Sequence, residues 1–282
     1  MQSLKALNDH ISNFEFRGAE TFLSAYPYPL AIGCLYLLVV YTLKRFMKDR
    51  QRIPVKSISL IHNFNMFAIS IICLCGMTKA VVDTLYKHGI RDGSEILFCD
   101  KNRLQAKGPL MFWIYAFYLS KFYELFDTVL ILLRKSNLVF LHIYHHWITM
   151  ILCIVSLRSA IPYQWSATIM NALVHIPMYY YYLCSILNIN IWWKRLITIF
   201  QIAQFCIDIT FCLISLYWQH YVALPAGRSC SSWEIPWANP FSLLVVFSYL
   251  LLFLEFYFRT YKRRKNAKKF AAEASEASCK KD

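Results

Sequence analysis

The sequence predicts an all-α polytopic membrane protein. Three observations carry that prediction. The 282 residues are 58% hydrophobic and 16% charged, whereas an ordinary soluble domain carries roughly 25% charged residues. Apolar blocks long enough to cross a bilayer recur along the whole chain, leaving too little sequence between them for a separate water-soluble domain. The basic residues gather in the short segments that flank these blocks, which is the pattern that reports membrane orientation. The net charge of +14 is therefore not the basic face of a nucleic-acid-binding fold. Ten cysteines without a Cys-x-x-Cys pair give no zinc or redox motif. Cys34, Cys73, Cys75, Cys153, Cys184, Cys206 and Cys212 all lie within apolar stretches, as small residues of a membrane core.

Residues 1–25 are mixed polar, and the apolar run that follows ends at Lys44-Arg45 instead of a small-residue cleavage site, so no cleaved signal peptide is read. Seven spans are expected, at 26–43, 58–86, 110–133, 138–158, 164–187, 196–218 and 241–258, each near the roughly 20 residues that a spanning helix requires. An odd number of spans puts the termini on opposite sides. With the amino terminus outside, 19 basic residues fall on the inner side and 9 on the outer, which favours a cytosolic carboxy terminus. Spans three and four are joined only by Arg134-Lys135-Ser136-Asn137, so they should be antiparallel neighbours. The tail, residues 262–282, is basic and then Ala/Ser/Glu-rich, and reads as a solvated, disordered end.

The first and last spans are nearly free of polar groups, but the middle spans carry several. Span three holds Lys121-x-x-Glu124-x-x-Asp127-Thr128, within an arc of roughly 120° at helical spacing. Span four holds His142-x-x-His145-His146, three imidazoles within about 100°. Span five places Asn171, His175, Met178 and Tyr182 in one stripe, with Tyr179, Tyr180 and Tyr181 interleaved, and span six adds Thr198, Gln201, Gln204 and Asp208. Ionisable groups in hydrocarbon must face a protein interior or a wet cavity. Counting about 1.5 Å per residue from the basic ends brings the groups of all four spans to one layer. That convergence predicts a site between facing helices. The blander alternatives are a packing or hydrogen-bonding role for His62, packing for the tyrosine run, and a purely structural charge network for Lys121, Glu124 and Asp127.

Eight histidines in all, with His10, His88 and His220 outside the spans, under-supply a di-iron centre, although a single metal ion remains open. Without a metal, imidazole offers nucleophilic and acid/base catalysis. Attack on an acyl thioester would give an acyl-imidazole that a carbanion can capture, and carboxylates behind the rings would fix their tautomers. Cys153 is a weaker nucleophile candidate, deeper in the same span.

These four motifs, extended by Asn171-x-x-x-His175-x-x-Met178-Tyr179-x-Tyr181-Tyr182 and Thr198-x-x-Gln201-x-x-Gln204, resemble the ELO family of very-long-chain fatty acid elongases in order and spacing. The resemblance covers all seven expected spans. It implies a 3-oxoacyl-CoA synthase of the endoplasmic reticulum membrane that condenses acyl-CoA with malonyl-CoA and releases CO2 and CoA, with no cofactor. It implies six helices around an acyl tunnel, as two inverted three-helix units, and a peripheral first helix. Residues 1–25 would be lumenal, 26–261 the membrane domain and 262–282 cytosolic.

Carried onto this sequence, the resemblance makes His145 the residue that receives the acyl group, with His142, His146 and His175 beside it and Glu124 and Asp127 as supporting carboxylates. Lys121, Arg134, Lys135, Asn171, Tyr181, Tyr182, Lys194, Thr198, Gln201 and Gln204 fall at positions expected around substrate, His142 and the basic residues nearest the CoA or pantetheine arm. It also implies a disulfide between Cys99 and Cys230, in an oxidising lumen. Expected partners are membrane lipid, acyl-CoA, malonyl-CoA and the other enzymes of the cycle (3-ketoacyl-CoA reductase, dehydratase and enoyl-CoA reductase). A homodimer is left open. Leu138-Val139-Phe140-Leu141 and Asn137 look like members acting on saturated and monounsaturated chains. The ending Cys279-Lys280-Lys281-Asp282 sets a dilysine retrieval signal one place out of register, so retention by other means is expected. The rival from another class is a seven-helix transporter or receptor, in which the buried charges would line an ion path.

Overall fold

The computed structural model describes residues 2–100, 102–227, 229–230, 235 and 237–262. Lys262, the first residue of the tail expected to be disordered, closes a helical turn, and the rest of that tail, with its out-of-register lysines, lies outside the described residues. Among the described residues the structure is helical, with no strand and one isolated bridge between Glu15 and Lys107.

The chain opens with α1 (Gln2–Ser12), followed by α2 (Pro27–Met47), α3 (Lys56–Phe98), α4 (Gly108–Glu124), α5 (Phe126–Leu133), α6 (Phe140–Arg158), α7 (Gln164–Ile186), α8 (Lys194–Tyr217) and α9 (Ala238–Tyr257). Five of these, α2, α3, α6, α9 and α8 with its continuation to Ala226, are both long and apolar enough to cross a membrane. The chain is thus a multi-pass membrane protein, with five such helices among the described residues where the sequence predicts seven spans. The third expected span is divided between the 17 residues of α4 and the 8 of α5. The fifth is α7, 23 residues long but loaded with Gln164, Asn171, His175 and four tyrosines, which lowers its apolarity.

Local chemistry explains where the boundaries moved. The second span runs on past 86 because α3 turns at Gly89, whose φ of 76° and ψ of 165° interrupt the helix before it resumes to Phe98. Only glycine adopts that conformation without strain. The break in the third span at Leu125 is a tightening, with Leu125 N–H reaching the Phe122 carbonyl and Thr128 N–H the Leu125 carbonyl, both at 3.3 Å. It lies between Glu124 and Asp127 and turns the face that carries them. In the amino-terminal segment, α1 is helical and sets His10 and Phe14 edge-on to Phe112 of α4.

The packing follows a ring. α3 packs on α4, α4 on α6, α6 on α9, α9 on α8, α8 on α7, and α7 returns to α3, while α2 lies outside against α5 and α6. At Gly76 the Trp113 ring occupies the space that a Cβ would need, so an indole of α4 packs directly onto the α3 backbone there. One end of the ring carries Lys44, Arg45, Arg134 and Lys194, and the other carries the disulfide that joins Cys99 to Cys230.

Candidate active site

Two cavities lie end to end inside the ring. The one nearer the basic end is lined by Glu124, Asp127, His142, His145, His146, Asn171, His175, Met178, Tyr181, Tyr182, Lys194, Thr198, Gln201 and Gln204, with Phe205, Phe253 and Phe256 among its apolar neighbours. The second extends toward the disulfide end and is mostly apolar, lined by Ile114, Phe117, Tyr118, Leu152, Leu157, Ile209 and Val246, down to Ile161, Tyr163 and Gln164. His145, Asn171, Gln204 and Phe205 line both and mark the junction.

The motifs predicted from helical spacing therefore meet in one place. Each is carried on its own helix, α4–α5, α6, α7 or α8, and the ring turns the four faces inward. All six residues assigned to chemistry, His142, His145, His146, His175, Glu124 and Asp127, line the first cavity. Of the ten assigned to substrate, Asn171, Tyr181, Tyr182, Lys194, Thr198, Gln201 and Gln204 do so. Lys121, Arg134 and Lys135 stand elsewhere. Lys121 is 2% exposed, with its Nζ donating to Glu124 Oε1 at 2.6 Å and to Asn171 Oδ1 at 2.8 Å and lying 4.1 Å from the Phe117 ring. Its charge is committed to holding the wall behind the site. Arg134 Nε turns back to the Leu130 carbonyl at 3.3 Å, and Lys135 Nζ reaches the Lys48 carbonyl at 3.1 Å.

The imidazoles differ in what holds them. His142 Nε2 lies 3.0 Å from Thr128 Oγ1, which is itself 2.9 Å from Tyr36 Oη of α2. His175 Nδ1 and His146 Nδ1 lie 3.4 and 3.9 Å from the Glu124 carboxylate, close enough for charge to act but beyond good hydrogen bonds. Among the described residues the His145 ring has no such polar anchor; it sits against aromatic rings, 4.9 Å from Tyr249 and 6.0 Å from Phe253. It is the histidine placed at the junction, and its nitrogens are free to meet a ligand.

Sequence reasoning missed two contributors, Tyr36 and Tyr249, and left the partner of a third unnamed. His62 of α3 reads as a packing or hydrogen-bonding residue, and its Nε2 lies 2.8 Å from Asp127 Oδ1, while Tyr179 Oη donates to Asp127 Oδ2 at 2.7 Å. A histidine and a carboxylate on different spans were the available signal. Tyr36 and Tyr249 come from the first and last spans, which read as nearly clean. Tyr249 Oη pairs with Thr149 Oγ1 at 2.8 Å and holds its ring against His145. Tyrosine passes as an apolar residue until its hydroxyl finds a buried partner.

Comparison with known proteins follows the same lines. The family model described as ELO: GNS1/SUR4 family matches residues 21–269. The chain is 32% identical over 265 residues to fatty acid elongase sre1 of Dictyostelium discoideum, covering 92% of each chain. It is 32% identical to fatty acid elongase A of the same organism, again covering 92% of each. Against very long chain fatty acid elongase 4 of Mus musculus it is 30% identical, over 89% of this chain and 78% of that one.

Proposed function

The chain belongs to the GNS1/SUR4 (ELO) family of fatty acid elongases, and from that premise we propose that it is the condensing enzyme of elongation, a 3-oxoacyl-CoA synthase of the endoplasmic reticulum membrane. Acyl-CoA and malonyl-CoA give 3-oxoacyl-CoA, CoA and CO2. The ring of six helices is the acyl tunnel, α2 its peripheral first helix, and the basic end faces the cytosol. The seven-span reading then counts α4 and α5 as one crossing and α7 as another.

The observation that carries this reading is the position of His145 where a polar chamber meets an apolar one. An acyl-CoA entering from the basic end would place its alkyl chain in the apolar chamber and its thioester at His145, with Lys194, Tyr181, Thr198 and Gln201 along the pantetheine arm. The neutral His145 ring attacks the thioester carbon; the new C–N bond forms, the C–S bond breaks, and CoA leaves with the proton released by the ring. Malonyl-CoA then binds, its C–C bond to the carboxylate breaks to release CO2, and the resulting carbanion attacks the acyl-imidazole. A C–C bond forms, the C–N bond breaks, and the departing imidazolate takes up one proton, which restores the neutral ring. His146 and His175, both close enough to the Glu124 carboxylate to feel its charge, supply proton transfer or a donor to the oxyanion. The segment Leu138-Val139-Phe140-Leu141 supports a preference for saturated and monounsaturated chains.

Purified protein given radiolabelled malonyl-CoA and an acyl-CoA tests the reading: release of CO2 and a product two carbons longer are expected. Acyl-CoA alone should leave an acyl group on His145, found by peptide mapping. Full turnover by His145→Ala would overturn the assignment, and transport without carbon–carbon bond formation would favour the transporter class.

A further inference from the structure

The apolar chamber carries several polar side chains, and several of them donate to backbone carbonyls three or four residues back in the chain. Gln164 Nε2 donates to the Ile161 carbonyl at 2.8 Å, Ser166 Oγ to Tyr163 at 2.7 Å, Thr168 Oγ1 to Gln164 at 3.1 Å and Ser242 Oγ to Ala238 at 2.9 Å. Thr149 is satisfied by Tyr249. These groups already have partners in the wall. Asp208 is different. Its Oδ2 accepts a long bond of 3.3 Å from Gln204 Nε2, and its Oδ1 is buried with no partner.

Place in the bore matters as much as chemistry. Asp208 lines the apolar chamber in its side wall, because Cys212, one turn further along α8, lines it too. The end is closed beyond that point by Tyr163, whose Oη reaches Asn239 Oδ1 at 3.1 Å and Cys212 Sγ at 3.3 Å. In the other direction Gln204, at the level of His145, lies four residues away, which is about 6 Å along the helix and about five carbons of an extended chain. An unbranched alkyl chain drawn past Asp208 would leave its already buried oxygen without a partner, at the cost of an unmade hydrogen bond. A hydroxyl at that depth would remove the cost, since it can donate to a carboxylate or accept from a carboxylic acid.

We propose that Asp208 is a recognition point for a hydroxyl on the acyl chain, about five carbons from the thioester carbon, so that mid-chain hydroxyacyl-CoA is a preferred substrate class. The inference rests on the condensing-enzyme reading for the identity of the ligand.

The test compares acyl-CoAs of one length, plain or hydroxylated at single carbons from about the fourth to the eighth, by equilibrium binding to the detergent-solubilised full chain and by kcat/KM with malonyl-CoA. Wild-type protein should favour one mid-chain hydroxyl position by about tenfold, the worth of one buried hydrogen bond. Asp208→Leu should reverse the preference by binding the plain chain better, and Asp208→Asn, which keeps a polar head, should retain most of it. Equal binding of plain and hydroxylated chains at every position overturns the proposal, as does a preference that survives in Asp208→Leu. A binding preference that follows Asp208 in protein that forms no carbon–carbon bond would uphold the subsite while defeating the condensing reading.

Discussion

Lys121 and Glu124 form an ion pair of 2.6 Å with both side chains 2% exposed, and the same carboxylate lies near His175 through Oε1 and near His146 through Oε2. The ammonium therefore permits Glu124 to remain charged in the wall of the cavity. Removing one partner of a buried pair leaves an uncompensated charge, at about 3–5 kcal/mol. Lys121→Met should lower stability by that order, measured by thermal unfolding in detergent, and adding Glu124→Gln should recover a large part of the loss. Recovered stability without recovered activity would show that the carboxylate serves the imidazoles as well as the fold. Equal stability of the single and double variants would contradict the pairing.

Thr128 couples the outer helix to the histidine motif, through Tyr36 at 2.9 Å and His142 at 3.0 Å. If that chain fixes the His142 tautomer, Thr128→Val should lower kcat about tenfold, in keeping with roughly one hydrogen bond, with KM little changed. Thr128→Ser should restore it. Tyr36→Phe should give a smaller loss of the same kind. A change confined to KM in steady-state kinetics would argue against this role.

How much of this was legible beforehand follows from where the partners lie. His142, His145 and His146 share a face because they share a helix, and the same holds for Asn171 with His175 and for Thr198 with Gln201; the 3.6-residue period writes those faces into the sequence. Lys121 with Glu124 was legible as a local pair three residues apart, and its structural alternative describes the lysine better than substrate contact does. His62 with Asp127 and Tyr36 with Thr128 are separated by 65 and 92 residues, and no periodicity tells which helix stands opposite. The bend at Gly89 was signalled by a glycine, but an apolar count does not distinguish a helix that ends from one that turns and continues.

The disulfide closes a separation of 131 residues, tying the end of α3 to the segment before α9, where the Cys230 N–H also donates to Gln219 Oε1 at 2.7 Å. Cross-links of long loops typically contribute 2–4 kcal/mol, and helices that stay in the bilayer after unfolding should put this one near the lower figure, about 2 kcal/mol. Cys99→Ser with Cys230→Ser should therefore lower the thermal midpoint by a few degrees, and dithiothreitol should reproduce that shift in wild type but not in the double variant. Non-reducing peptide maps should show the two peptides joined, and two free thiols would refute it.

Asp100, next to that disulfide and outside the spanning helices, accepts N–H groups from Leu104 at 2.7 Å and Gln105 at 3.0 Å, yet burial pushes its carboxyl up from 3.8 to about 6. A carboxyl whose pKa rises on folding holds a proton in the folded state that the unfolded chain has released. Its contribution is then fully present below about 4 and is lost as pH rises through about 6. Wild-type protein should lose about 2–3 kcal/mol from this group across that window and nothing further above it. Asp100→Asn gives up one of the two N–H acceptors, about 1 kcal/mol at every pH, but should remove this slope. Thermal midpoints of both proteins from pH 4 to 7 decide the matter: curves that stay parallel would show that Asp100 titrates as an ordinary surface carboxyl.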